Sequence, residues 1–156
     1  MNRIKIVSHS RDETELTGFR LGNILKSYNN SFTVYLFGDL GAGKTVFIKG
    51  LASAFGIPPR DIGSASFVIV AEYETSPPFY HVDLYRIEGE TAIDSLGIWE
   101  YIDSGGITAI EWAERLPEFP EGGIMVRLSI LNEDRREITI EGIDEKDWDN
   151  MQARRD

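Results

Sequence analysis

The chain has 156 residues, 42% of them hydrophobic, no cysteine and a formal net charge of −10. That suits one soluble domain with its own core, and it excludes disulfides, thiolate metal sites and a cysteine nucleophile. Residues 71–121 carry twelve acids against two bases. Such a middle argues against broad nucleic-acid contact and suits either docking on a basic protein or solubility alone. No apolar run reaches membrane-spanning length and "MNRIKIVSHS" lacks a signal-peptide core, so a cytoplasmic protein with no membrane contact is expected.

In chain order, Ser10 and Asp12 open a helix whose apolar face is Leu21, Ile24, Leu25 and Tyr28, and "NNS" ends it. "FTVYLF" is a continuous apolar run, as a strand buried on both faces requires. After a glycine loop, Ile48, Leu51, Ala52 and Phe55 form a second helical stripe, stopped by Gly56 and "IPP". "SFVIVAEYE" and "FYHVDLYRI" read as strands around "TSPP", "ETAIDSLGIWEYI" as one helix, and "GITAIEW" as a buried strand. "IMVRLSIL" and "REITIEGI" alternate across "NEDR", an antiparallel pair expected at one sheet edge. Residues 143–156 read as a loosely attached tail, with a short helix anchored by Trp148 and Met151. The whole predicts a single α/β domain over 1–156, a mixed sheet flanked by helices, of the P-loop NTPase kind.

The glycine loop carries the chemistry. "GDLGAGKT" is G-x-x-x-x-G-K-[ST], the phosphate-binding pattern, set between a strand and an amphipathic helix as it must be. Gly38, Gly41 and Gly43 let successive N–H groups turn toward phosphate oxygens, and the following helix adds its positive end. Lys44 is placed for the β- and γ-phosphates and the Thr45 hydroxyl for Mg²⁺. Chance would produce the pattern in roughly one chain in two hundred of this length. The guanine-reading [NT]-K-x-D pattern is absent, which favours ATP over GTP, or weak base discrimination.

Hydrolysis also needs an acid near the metal, at the end of a neighbouring buried strand. Glu111 is the better candidate, as a metal ligand directly or through water. Asp83, read as lying in mid-strand, is compatible with orienting a water, contacting the metal, or pairing with Arg86 or a hydroxyl. His81 shares a strand face with Asp83 and reads as a hydrogen-bonding residue, because no further His or Cys completes a metal site. Ser64 and Ser66 precede a strand, where they form an ordinary turn or offer a hydroxyl that senses a γ-phosphate.

Taken together, "GDLGAGKT", the S-x-[ST]-F segment, "HVDLYRI", "LGIWEY" and "IEW" resemble the TsaE family, over about residues 10–140. The resemblance implies a cytoplasmic, Mg²⁺-dependent ATPase of tRNA threonylcarbamoyladenosine modification, slow alone and stimulated by its partners TsaB and TsaD. It implies a role in resetting their complex, with tRNA met only through it. It implies a phosphate cradle of Asp39, Leu40, Gly41, Ala42, Gly43, Lys44 and Thr45, Mg²⁺ ligands Thr45 and Glu111, and catalytic roles for Lys44, Asp83 and Glu111. It adds Thr14 and Arg136 near the nucleotide, and Ser64, Ser66, Phe67 and Trp112 as a switch or partner-sensing set. The family's usual S-P-T-[FY] stands here as Ser64-Ala65-Ser66-Phe67, which frees that loop. Two other classes fit the loop alone: a small-molecule kinase, which needs an arginine-rich lid where residues 71–121 hold only Arg86 and Arg115, and a nucleotide-gated binding module with negligible hydrolysis.

Overall fold

The structure is a computed structural model that describes residues 3–63 and 69–153. Its strands are β1 (Arg3–Ser8), β2 (Phe32–Phe37), β3 (Val70–Tyr73), β4 (Phe79–Asp83), β5 (Ile107–Glu111), β6 (Ile124–Ile130) and β7 (Arg136–Glu141). Its helices are α1 (Arg11–Tyr28), α2 (Lys44–Ser53), α3 (Glu90–Ser95), α4 (Ile98–Asp103) and α5 (Glu145–Ala153). The strands form one mixed sheet in the order β1-β7-β6-β2-β5-β4-β3. β2 runs parallel to both β5 and β6, and β4 parallel to β5, while β7 and β3 run the other way.

The central strand shows why its sequence has no polar alternation. Val34 and Leu36 enter a core shared with α1, α2 and α5, whereas Tyr35 and Phe37 enter a second core under α3 and α4. A strand with a core on each face must be apolar throughout. Burial holds the Tyr35 hydroxyl un-ionised, pushing its pKa up to about 12. α1 starts as expected: Ser10 accepts from Glu13 N at 3.1 Å, and Glu13 in turn accepts from the His9 amide. It ends at Asn29, which turns left-handed (φ 52).

Three expectations need correction. "RIKIVS" is a strand, pairing antiparallel with β7, so β1 and not the β6–β7 pair forms that edge. Its signal was the alternation of Ile4 with exposed Arg3 and Lys5. The single helix expected over "ETAIDSLGIWEYI" is two, because Gly97 adopts φ 69 and caps α4 afresh. Asp83 does not lie in mid-strand: β4 ends there, with Asp83 directly opposite Glu111 at the end of β5. At the carboxyl end of the chain, α5 lays Trp148, 3% exposed, into the core, with Met151 packed against it and the Tyr28 hydroxyl donating to Asp147.

Candidate nucleotide-binding site

Five strands, β1, β2, β4, β5 and β6, point the same way, so their carboxyl ends meet along one rim of the sheet. Ligands of open α/β sheets bind on that rim. The loop after β2 crosses it. Gly38 fits there because a Cβ would lie 2.6 Å from the Leu128 carbonyl oxygen of β6. Gly43 begins α2 at φ 102, a conformation that glycine takes without strain.

Lys44 is buried at the first turn of α2. Its ammonium donates to the Gly38 carbonyl and, at 3.0 Å, to that of Asp39, and it lies 4.1 Å from the centre of the Trp112 ring. Burial pulls its pKa down; the charges of Glu111, Glu114, Asp83 and Asp39 oppose that pull. Trp112 reaches this position through a left-handed backbone (φ 57, ψ 42), rare for a residue with a side chain, and packs against Tyr85 with ring centres 5.1 Å apart and the rings tilted by 43°. The strained backbone turns the indole back over the loop from the end of β5.

Thr45 Oγ1 lies 3.0 and 3.1 Å from the two oxygens of Glu111, to which it donates. Glu111 is 3% exposed and also meets His81 Nε2 at 2.6 Å. Burial first, and the Glu111 charge after it, raise the Asp83 carboxyl above its ordinary range; Asp83 Oδ1 accepts from Tyr85 N at 3.0 Å. A hydroxyl and a carboxylate are hard oxygen donors, and two of them suit Mg²⁺, which takes most of its shell from phosphate and water. No cluster of three or more His, Asp or Glu able to cage a metal occurs among the described residues.

The loop separates two hollows. One, of about 420 Å³, is lined by Lys44, Thr45, Asp83, Tyr85, Glu111 and Trp112 among others, the other, of about 200 Å³, by Ser10, Arg11, Thr14, Val46, Asp134 and Arg136 among others. Gly41 and Gly43 border both. Arg136 joins the loop to the β6–β7 hairpin: Nη1 donates to the Asn132, Glu133 and Arg135 carbonyls, and Nη2 to Gly41 O at 3.2 Å. Thr14 turns its hydroxyl away from the loop, to Ser8 Oγ at 2.7 Å and the Ser10 carbonyl at 3.3 Å. Its methyl faces Gly43, where a Cβ would lie 3.5 Å from it, so Thr14 contributes wall.

The structure thus brings together Thr14, the Asp39–Thr45 cradle, Asp83, Glu111, Trp112 and Arg136. Within the loop, Ala42 is buried and Leu40 is 69% exposed. Ser64, Ser66 and Phe67 lie outside the described residues. Sequence reasoning missed Tyr85, which packs against Trp112, and named no partner for His81; the shared face of His81 and Asp83 was the available signal. No helix among the described residues is long and apolar enough to cross a membrane.

The family model for threonylcarbamoyl adenosine biosynthesis protein TsaE matches residues 8–138. The chain is 36% identical over 138 residues to the tRNA threonylcarbamoyladenosine biosynthesis protein TsaE of Treponema pallidum, covering 88% of this chain and 99% of that one. It is 38% identical over 141 residues to the protein of that name from Nostoc, covering 87% and 84%. The crystal structure of Bacillus subtilis YdiB superposes with a TM-score of 0.75 at 27% identity, covering 99% of this chain and 97% of that one. The fold read from the sequence, a mixed P-loop sheet between helices, is the one found, and the chain belongs to the TsaE family of tRNA threonylcarbamoyladenosine biosynthesis.

Proposed function

We propose that the chain is a Mg²⁺-dependent ATPase of the cytoplasm, slow alone and accelerated by TsaB and TsaD, whose complex it resets between rounds of tRNA modification. The observation that carries this reading is the convergence of Lys44, Thr45 and Glu111 at one end of a glycine loop. The loop amides and Lys44 hold the phosphates, and Arg136 closes the loop from its far side. Thr45 and Glu111 hold the metal, which when bound neutralises charge on the β- and γ-phosphates. Asp83 sits beside Glu111, and its raised pKa suits a carboxyl that takes up or orients a proton of the attacking water. The acidic residues of 71–121 keep tRNA off this chain, which meets it only through the partners.

The test is phosphate release from ATP by the purified protein, with and without Mg²⁺ and with and without TsaB–TsaD. Release is expected to need the metal, to rise with the partners, and to vanish in Lys44→Ala while the fold persists. Hydrolysis that Lys44→Ala leaves unchanged, or that ignores both metal and partners, overturns the reading.

A further inference from the structure

We propose that His81 is a positioning residue that fixes the Glu111 carboxylate through its Nε2–H, and so sets how tightly the site takes its metal. The inference rests on the nucleotide reading above and adds a residue to it.

The register explains how the contact arises. β4 and β5 are parallel, with His81 opposite Ala109 and Asp83 opposite Glu111. Side chains two apart share a face, so His81, Asp83, Ala109 and Glu111 stand together on one side of these two strands. Ala109 offers only a methyl group. The imidazole therefore has room to lean along the strand direction and meet Glu111 two positions on, at 2.6 Å. Both side chains are almost wholly buried, at 3% and 4% exposure. A carboxylate in that setting depends on hydrogen bonds from the protein, because burial takes away most of its access to water.

Glu111 has two kinds of holder. Thr45 bridges both carboxylate oxygens from the glycine-loop helix at 3.0 and 3.1 Å, and His81 takes Oε2 from the neighbouring strand. Thr45 is itself assigned to the metal, and a hydroxyl oxygen serving a cation turns its hydrogen away from it. Its grip on Glu111 is then the one that changes between the two tasks. The His81 contact comes from the sheet and does not depend on that exchange. A ring N–H on a ligating carboxylate restricts its orientation, and loss of such outer contacts commonly costs about 10–100-fold in metal affinity or activity. The tautomer follows from the same geometry: Glu111 accepts, so Nε2 carries the proton.

The test compares wild type with His81→Ala and His81→Gln, the latter placing an amide N–H near the Nε2 position. Nucleotide affinity is measured in EDTA and across a Mg²⁺ titration, alongside kcat, KM and the imidazole ¹⁵N spectrum of the wild type. In EDTA all three proteins are expected to bind nucleotide alike. The Mg²⁺ needed for half-saturation is expected to rise about tenfold in His81→Ala, with kcat falling and KM for the nucleotide little changed. His81→Gln is expected to recover most of both losses. The wild-type spectrum is expected to show a protonated Nε2 whose proton resonance moves when Glu111→Gln is introduced. Unaltered Mg²⁺ dependence in folded His81→Ala, no rescue by His81→Gln, or a protonated Nδ1 with bare Nε2 overturns the proposal. Should His81→Ala fail to fold, His81→Gln and the wild-type spectrum decide. A wild type that binds Mg²⁺-nucleotide without hydrolysing it refutes the ATPase reading alone, since metal dependence and tautomer are still read.

Discussion

Gly50→Ala tests how α2, which carries Lys44 and Thr45, is held against α1. A Cβ on Gly50 would lie 1.8 Å from the Glu15 carbonyl oxygen, 2.7 Å from its carbon and 2.9 Å from Phe19 N. The contact is mutual, since a Cβ on Gly18 would lie 2.0 Å from the Phe47 carbonyl oxygen. All these obstacles are backbone of a packed helix, so no rotamer relieves them. The helices must part by about 1.5 Å before the contact becomes ordinary. Overpacking of this kind costs about 1–3 kcal/mol, and the upper end applies where backbone must move. Alanine returns about 1 kcal/mol of helix propensity. The net expectation is a loss of about 2 kcal/mol or more, read as a lower midpoint in equilibrium urea unfolding. Gly63→Ala is the control, because among the described residues nothing lies within 4 Å of that Cβ, and it should stay within about 0.5 kcal/mol. A Gly50→Ala protein as stable as wild type would refute the close-packed α1–α2 interface.

Three further outcomes follow from the site. Glu111→Ala should lower single-turnover hydrolysis by about a hundredfold while weakening nucleotide binding less; normal turnover in Glu111→Ala with none in Asp83→Ala would reverse the two roles. Arg136→Ala removes the guanidinium that ties Gly41 to the hairpin, and should weaken nucleotide binding about tenfold by isothermal titration, with the melting temperature little changed. Asp83 is held above its ordinary value by burial, so its contribution to stability is complete below the usual aspartate range and is lost as pH rises through the raised value. Asp83→Asn should therefore gain melting temperature over wild type as pH rises from about 4, and a pH-independent difference between the two proteins would contradict this.

Much of the fold was legible because its signals are local. The apolar run of β2, the cap at Ser10 and the stripe on α2 each follow from residues a few positions apart. β1 was not recognised because its alternation is only six residues long and gains meaning only from β7, far along the chain. The helix over residues 90–102 was read through Gly97, whose left-handed φ is a choice of tertiary context. At the site, the loop and the two acids could be named from their positions in sequence. The distances among them could not, since Asp83 and Glu111 meet through strand register and His81 meets Glu111 through the gap that Ala109 leaves. Trp112 over Lys44 depends on a left-handed backbone that nothing in "IEWAE" announces.

The arrangement of these groups bears on why such a site would turn over slowly alone. Lys44, Thr45, Glu111 and His81 are fixed by helix and sheet interior, and each already has polar partners in the protein. Engaging a phosphate or a metal requires those bonds to be exchanged, so part of the gain in binding is offset by their loss. The remaining walls are of another kind: Leu40 and Tyr85 are 69% and 44% exposed, and Arg136, the first residue of β7, reaches over the turn before it. On the proposed reading, a partner protein covers these exposed walls, excludes water and holds the exchanged state. A partner that does so must bind more tightly to the nucleotide-loaded form, by the same factor that it raises nucleotide affinity. On the proposed reading, partner affinity measured with ATP therefore exceeds that with ADP or with no nucleotide. Equal affinities in the three states would leave any ATPase activity intact and remove the reset mechanism.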